Sequence, residues 1–300
     1  FIRNPSGNQV LDEVLSPIRF EVNGNSRLCD GIDWRSKMPN MLYQVDAFTD
    51  EPFKGNPAAV CLVEHQTKVT WMKAVAREMN LSETAFISPA RDGWHLRWFT
   101  PKQEVDLCGH ATLASAKVLF ERDPALRHKP ILFKTRSGDL FARWVDGEVE
   151  LDFPAMQYRR ISYESNVDRA LGFTPWDAVW SGTYYLFEAE NEEIIRKANP
   201  DLSAIEKLPI SEVIITARSK KPEMDFISRF FAPKLGIPED PVTGSAHCLL
   251  APYWAEKLKK TTFTAYQASQ RGGTLYLQLQ DERVKIRGAA VIVFQGQLLV

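Results

Sequence analysis

The chain has 300 residues, of which 44% are hydrophobic and 25% charged, and its formal net charge is −1. This length can bury a substantial core as one large domain or two lobes, so no disulfide or metal is needed for stability. A nearly neutral chain without long runs of one sign is not suited to neutralising nucleic-acid phosphates, and no apolar run is long enough to cross a bilayer. We therefore expect neither nucleic acid nor membrane as a partner.

Two helices and a series of short strands are predicted in the first half of the chain. Met72, Val75, Ala76 and Met79 recur at helical spacing and indicate an amphipathic helix. Residues Ala111–Glu121 are apolar nearly all round, which predicts a helix buried on every side. The predicted strands are Leu42–Phe48, Ala58–Val63, Thr84–Ser88, His95–Phe99, Ile131–Lys134, Leu140–Trp144 and Val149–Phe153.

The sequence of the second half predicts helices and strands in the same order as in the first half. Ser245 is expected to open a helix that runs toward Lys259, and Pro252 inside it predicts a kink or break because proline lacks a backbone donor. The strands predicted after this helix are Thr262–Gln267, Leu275–Gln280, Val284–Arg287, Ala289–Phe294 and Leu298–Val300.

A long-period duplication is the strongest internal signal. Residues 97–102 (RWFTPK) recur as residues 229–234 (RFFAPK), and Ser82-Glu83 has a counterpart in Ser211-Glu212. From Gly109 onward the spacing is constant at 135 residues, as between Gly109 and Gly244. An ordered series of matches at one spacing indicates two copies of one structural unit.

The duplication predicts two pseudo-symmetric lobes, each with strands around one central helix and with a cleft between them. We expect an N-terminal lobe at 41–155 plus about 288–300, and a C-terminal lobe at 156–287. Residues 1–40 are rich in Asn, Ser, Gly and Arg and lack the apolar core of a signal peptide, so we expect a leader, an artefact of expression or an upstream extension outside the fold. Clefts between lobes are common small-molecule sites.

Each predicted central helix begins at a glycine, Gly109 in the first half and Gly244 in the second. Glycine lets the backbone approach a ligand closely, and the free N–H groups at a helix start suit a carboxylate or a developing oxyanion. A glycine at a strand-to-helix turn is also common without any ligand. Two glycines at matched positions favour a site for an acidic ligand.

Four side chains, two of them carboxyl groups, are candidates for chemistry in this cleft. Glu83 lies where a predicted helix gives way to a strand in largely apolar surroundings, and burial of a carboxyl raises its pKa toward values that suit proton transfer. Asp240 could orient a substrate amine or hydroxyl, and His110 could donate to a substrate carboxylate. Ser245 could act in binding or as a helix N-cap. Each of these residues also has a purely structural interpretation.

Six motif runs stand out along the chain: Val45–Thr49, Phe53–Val60, Glu78–Phe86, Phe99–Pro101, Cys108–Thr112 and Glu239–Ala246. Together they resemble the phenazine-biosynthesis PhzF-like family, including its animal members. They follow one another in order across residues 41–300. None is specific alone, but the set is.

The resemblance implies an α+β, diaminopimelate-epimerase-like fold in which each lobe is a strongly curved sheet around a central helix. It implies a cofactor-independent isomerase that moves a proton within a dihydro-hydroxyanthranilate-like or related acid, with Glu83, His110 and Asp240 as catalytic residues. Gly109, Gly244 and Ser245 correspond to substrate-binding positions. The family also implies a homodimer.

Three alternatives remain open from the sequence. Cys108 precedes a helix start, where a thiol pKa can fall, so a thiol-assisted epimerase is one alternative, although its repeat mate is Thr243. A second is a metal site built from Cys108, His110, His247 and Cys248, but their spacing makes the side chains diverge, and we predict no metal. A third is an inactive ligand-binding or scaffold protein. The widely spaced cysteines indicate free thiols in a reducing compartment, hence a cytoplasmic protein.

Overall fold

The structure is a computed structural model that describes residues 40–64 and 67–300, so residues 1–39 of the predicted leader lie outside it. The strands are β1 (Met41–Ala47), β2 (Asn56–Leu62), β3 (Glu83–Ala90), β4 (Gly93–Phe99), β5 (Glu104–Val105), β6 (Ile131–Thr135), β7 (Gly138–Val145), β8 (Glu148–Pro154), β9 (Arg159–Arg160), β10 (Asp177–Trp180), β11 (Tyr185–Glu188), β12 (Val213–Arg218), β13 (Phe226–Ala232), β14 (Ile237–Asp240), β15 (Thr262–Gln267), β16 (Gly273–Gln280), β17 (Arg283–Gly288) and β18 (Ala290–Gln297). The α-helices are α1 (Val69–Met79), α2 (Gly109–Arg122), α3 (Ser165–Leu171), α4 (Glu192–Lys197), α5 (Leu202–Lys207) and α6 (His247–Leu258).

Strand pairing repeats in the two halves of the chain. In the first half β1 pairs antiparallel with β2, β2 parallel with β3, β3 antiparallel with β4, and β4 parallel with β6. Nine strands later, β10, β11, β12, β13 and β15 make the same pairings in the same senses. Each set packs against one long helix: α2 contacts β1, β2 and β3, and side chains of α6 contact β11, β12 and β13. The duplication read from the sequence is therefore a duplication of topology, and the predicted α+β architecture is confirmed.

Strands from the two halves also pair with each other. β8 pairs antiparallel with β17, and β18, the last strand, pairs along its whole length with β1, where Met41 lies opposite Gln297. These links place the described strands in a single eighteen-stranded sheet. The lobe boundaries at 41–155 plus about 288–300, and 156–287, stay a prediction.

The predicted amphipathic helix is α1, and its end positions Glu83. Met72, Val75 and Ala76 are buried and pack in a cluster with Phe86 of β3. The helix ends at Asn80, which adopts the left-handed conformation with φ 51°. Asparagine tolerates this conformation, which turns the chain out of the helix. Glu83 follows as the first residue of β3.

Helix α2 is buried as its composition predicts. Every residue from Gly109 to Phe120 except Lys117 is buried. The two hydroxyl groups in this stretch do not lose their partners, because Thr112 donates to the carbonyl of Cys108 and Ser115 to that of Ala111. Hydrogen bonds to the preceding turn let polar residues lie inside a helix surrounded by strands.

Helix α6 begins later than predicted, and it continues through Pro252 without a break. It begins at His247, because the N–H groups of His247 and Cys248 bond three residues back, which forms a tighter turn over residues 244–246 before the α-helix. Pro252 lies inside the helix without breaking it. The carbonyl of Cys248, which loses its helical donor at Pro252, instead accepts the N–H of Met156 at 2.9 Å.

One predicted strand is absent. Residues 298–300 are not a strand, and Leu298 donates its N–H to the carbonyl of Asn40 at 2.8 Å beyond the end of β18. Among the helices of residues 40–64 and 67–300, none combines the length and apolar character needed to cross a bilayer.

Candidate active site

The start of α2 and the turn that precedes α6 meet at their glycines. A β-carbon built on Gly109 would lie 3.3 Å from the α-carbon of Gly244, and one built on Gly244 would lie 3.4 Å from the α-carbon of Gly109. The backbone N of Ser245 is 3.5 Å from the same position on Gly109. Only residues without a side chain allow two helix starts to approach this closely. Their positive dipole ends therefore converge on one place.

Phe48 supports this contact from one side. Its ring tip would lie 3.3 Å from a β-carbon on Gly244, and the residue is fully buried. Phe48 adopts φ 65°, which is uncommon for a residue with a side chain. Two backbone hydrogen bonds hold it there, one to the carbonyl of Ala289 at 2.8 Å and one from the N–H of Thr274 at 3.0 Å.

Gly244→Val should force the helix starts apart. The added methyl groups would meet the backbone of Gly109 and the ring of Phe48, neither of which is the free end of a flexible chain. We expect the free energy of unfolding to fall by about 1–3 kcal/mol, as for overpacked cores, and ligand binding to be lost. Urea unfolding and calorimetric titration measure the two effects. Gly138→Ala is the control: no atom lies within 4 Å of the added carbon, but φ is 106°, so backbone strain should lower stability while ligand binding is retained. Retained binding in Gly244→Val would contradict the role of the glycine contact.

Glu83 lies beside the start of α2 with its side chain only 13% exposed. Its carboxylate oxygen Oε2 is 3.4 Å from Nε2 of His110. Burial, with a smaller contribution from the negative charge of Asp240, raises the pKa of Glu83 to about 8. A carboxyl group with such a pKa can both accept and donate a proton near neutral pH.

His110, the second residue of α2, is buried between two groups. Its Nδ1 lies 3.5 Å from the sulfur of Cys108, and its other nitrogen, Nε2, faces Glu83. Burial lowers the pKa of His110, so the ring is neutral at pH 7. The 3.4 Å approach of Nε2 to Glu83 lacks hydrogen-bond geometry, and Nε2 has no other partner within the described residues. It is thus available to donate to a ligand.

Asp240 ends β14 and is held by residues from both halves. Asn56 of β2 donates to its Oδ1 at 2.9 Å, and the hydroxyl of Thr243 donates to its Oδ2. Gln267 donates to the carbonyl of Asp240 at 2.8 Å and accepts the N–H of Thr243 at 2.9 Å. The network fixes a buried acidic side chain near Glu83.

Ser245 is not a helix cap. Its hydroxyl lies 2.8 Å from the hydroxyl of Tyr184, which is nine-tenths buried and packs edge-on against Phe230. The structure therefore brings together all six predicted site residues, Glu83, His110, Asp240, Gly109, Gly244 and Ser245.

The two chemical alternatives fit this geometry less well. Burial raises the pKa of Cys108 well above its usual range, so Cys108 keeps its proton at neutral pH and is a poor base. The donor atoms of Glu83, Cys108 and His110 do lie within 4.8 Å of one another. Of the four ligands weighed from the sequence, only Cys108 and His110 belong to this group, and the absence of a metal stays a prediction. His247 is not in this group, because its Nδ1 faces the carbonyl of Thr243.

Sequence reasoning did not single out Asn56, Thr243, Gln267 or Tyr184. Asn56 and Thr243 lie within two of the motif runs, so the motifs contained a signal for them. Gln267 and Tyr184 lie in ordinary strand-like sequence, and no local pattern marks them.

A family profile described as phenazine biosynthesis-like protein matches residues 45–296. The chain belongs to the phenazine biosynthesis-like family. It is 49% identical over 264 residues to an uncharacterised isomerase of Halalkalibacterium halodurans, covering 88% of this chain and 100% of that protein. It is 40% identical over 288 residues to the human phenazine biosynthesis-like domain-containing protein, covering 87% of this chain and 99% of that one.

The fold of the family agrees with the duplicated topology. A crystal structure of a PhzF family protein from Enterococcus faecalis is similar to this chain with a TM-score of 0.84 and 42% identity, covering 88% of this chain and 100% of that one. The resemblance stated from the motifs and the diaminopimelate-epimerase-like fold are both confirmed.

Proposed function

We propose that this protein is an isomerase that moves a proton within a small carboxylic acid, with Glu83 as the general acid and base and without a metal or organic cofactor. The observation that carries the proposal is the carboxyl of Glu83, buried beside two converging helix starts and with a pKa of about 8. The name of the Halalkalibacterium halodurans relative, an isomerase, supports the reaction class.

In the proposed reaction the N–H groups at the start of α2 and in the turn over residues 244–246 before α6 bind the substrate carboxylate, and Nε2 of His110 donates to it. Asp240 and Ser245 hold an amine or hydroxyl on a neighbouring carbon. Glu83 removes a proton from one carbon, the helix starts stabilise the enolate-like charge, and the protonated Glu83 returns the proton to another carbon of the same molecule. The atoms balance: one carbon loses the hydrogen that another gains, and the oxidation level of the whole molecule does not change.

The substrate class follows from these groups: a small acid with an amine or hydroxyl near the carboxylate, such as a dihydro-hydroxyanthranilate. A binding protein with the same cleft would hold the same acid without reacting. The homodimer and the cytoplasmic location expected from the sequence stay predictions.

Deuterium exchange separates the enzyme from the binding protein. The chain is incubated in D₂O with 2,3-dihydro-3-hydroxyanthranilic acid and a panel of small cyclic amino and hydroxy acids, and each acid is examined by NMR. An isomerase incorporates solvent deuterium at carbon into at least one acid that it binds. Saturable binding of an acid without incorporation would contradict the proposed reaction and leave a binding function.

The pH dependence of this exchange should report Glu83. Because the raised pKa keeps Glu83 protonated below pH 8, about one-tenth of the protein carries the ionised base at pH 7. We expect kcat/KM to rise with pH and to level off above the pKa of about 8. Glu212→Gln, at the matched position of the second half, should keep this profile. An apparent pKa near the ordinary value for glutamate would contradict the assignment.

A further inference from the structure

Cys108 occupies a distinctive position next to the proposed catalytic pair. It is the residue before the first turn of α2, its backbone is extended, and the thiol is buried. The sulfur is 3.5 Å from Nδ1 of His110, while Nε2 of the same ring faces Glu83. The proposed reaction gives Cys108 no step, so its contact with the ring needs its own explanation.

The protonation states of the two groups limit what this contact can be. Burial raises the pKa of the Cys108 thiol and lowers the pKa of His110. At neutral pH the sulfur therefore carries a proton to donate, and the imidazole carries one proton on either Nδ1 or Nε2.

Once Glu83 is ionised, as it is above its pKa of about 8 and as it must be to accept a proton, only one of the two tautomers suits both neighbours of the ring. With the proton on Nδ1, the bare Nε2 would then face the carboxylate of Glu83, and lone pairs would oppose each other. With the proton on Nε2, the ring can donate to Glu83 or to a bound acid, and Nδ1 is free to accept the thiol proton. The thiol can also reach the carboxyl of Glu83, but Nδ1 has no other donor among the contacts of the described residues.

We propose that Cys108 is a positioning residue whose thiol donates to Nδ1 of His110 and so keeps the imidazole proton on Nε2, directed at Glu83 and the ligand. The proposal rests on the proposed function only for its catalytic consequence, which is that His110 acts as a neutral donor and not as a second base. The tautomer itself is a property of the ligand-free protein.

The repeat offers independent support. Thr243 is the residue before Gly244, as Cys108 is the residue before Gly109. Its hydroxyl donates to Asp240, the other buried titratable residue of the site. In each half, therefore, the residue before the helix-start glycine contacts a site residue through a short polar side chain.

Nitrogen-15 NMR of the histidine rings tests the tautomer in the intact chain, reduced, without ligand and at pH 9, where Glu83 is ionised and the Cys108 thiol keeps its proton. His247 is an internal reference of the opposite tautomer, because its Nδ1 lies 2.9 Å from the carbonyl of Thr243, which can only accept. We compare wild type with Cys108→Ala, Cys108→Ser and Cys248→Ala, the last a buried cysteine of α6. A His110→Gln spectrum assigns the signal.

We expect His110 in wild type to carry its proton on Nε2, with an Nδ1 signal shifted by hydrogen bonding. Cys108→Ala should remove that shift and populate the Nδ1–H tautomer, while Cys108→Ser, whose hydroxyl can still donate, should restore the wild-type pattern. Cys248→Ala should leave the His110 signals unchanged. A wild-type Nδ1–H tautomer, or identical His110 signals in Cys108→Ala and wild type, would overturn the proposal.

If Cys108→Ala fails to fold, the wild-type and Cys108→Ser spectra still decide which nitrogen carries the proton. Because no substrate enters this measurement, the tautomer can be established even if deuterium exchange shows no isomerase. Likewise, the protein can incorporate deuterium into an acid even if the NMR spectra show that Cys108 does not set the tautomer of His110.

Discussion

Glu83→Gln should lower the rate of deuterium incorporation by about two to four orders of magnitude, because glutamine cannot take or return a proton. The substitution keeps the size and polarity of the side chain beside His110, so binding of the acid should change little. Calorimetry for binding and NMR for incorporation measure the two quantities on the same samples.

The matched control is Glu212→Gln, the repeat mate of Glu83 in the second half. Burial also raises the pKa of Glu212, so the control removes a similar half-shielded carboxyl at the equivalent place. It should retain the wild-type rate. Full activity in Glu83→Gln, or an equal loss in Glu212→Gln, would rule out Glu83 as the proton-transferring group.

The same variant should be more stable than wild type in alkali. A carboxyl with a raised pKa favours folding fully below its unfolded pKa, and this contribution is lost as the pH rises through the folded pKa of about 8. Glutamine removes the cost of burying the charge. A higher urea midpoint for Glu83→Gln at pH 9 would show that the loss of activity is not a loss of folding.

Arg271→Ala should lower the free energy of unfolding by about 3 kcal/mol, since it leaves a buried carboxylate without its cation. Asp46 is 1% exposed and lies 2.8 Å from the guanidinium of Arg271, which also donates to the carbonyls of Lys54 and Gly55. In the variant, the carboxylate of Asp46 keeps only the hydrogen bond that it accepts from the N–H of Phe53. Because these groups hold the β1–β2 connection that leads to Asn56, activity should also fall.

Arg136→Ala is the control supplied by the duplication. Arg136 is the repeat mate of Arg271, but its side chain is 57% exposed and its partner Glu104 keeps a second pair with Arg97. We expect the free energy of unfolding to fall by about 1 kcal/mol or less, as for ion pairs at the surface. Equal urea midpoints for the two variants would show that the burial of Asp46 does not determine how much stability is lost.

Much of the site could be predicted because duplication restricts where it can lie. Two glycines at a constant spacing predicted two helix starts; Gly109 does begin α2, Gly244 lies in the turn before α6, and the structure brings the two glycines into backbone contact. Glu83 was recognisable because a helical period changes to a strand just before it, and it indeed begins β3. These predictions depend on local patterns that survive in both copies.

What could not be predicted depends on contacts between distant residues. The hydroxyl pair of Tyr184 and Ser245 forms only after β11 packs beside the start of α6, and nothing near Tyr184 in the sequence indicates it. The unbroken helix around Pro252 depends on the N–H of Met156, almost one hundred residues earlier. The serine that was predicted to open α6 instead belongs to a tighter turn that precedes it.

The pairing of β1 with β18 constrains how the polypeptide can acquire its shape during synthesis. One of the two neighbours of β1 is made some 250 residues after it, so the first half remains without one strand until β18 has been synthesised. Contacts of such large sequence separation slow folding. Until then the backbone groups along one edge of β1 are open to pairing with other chains. Ribosome-bound intermediates of this protein should therefore need protection along that edge.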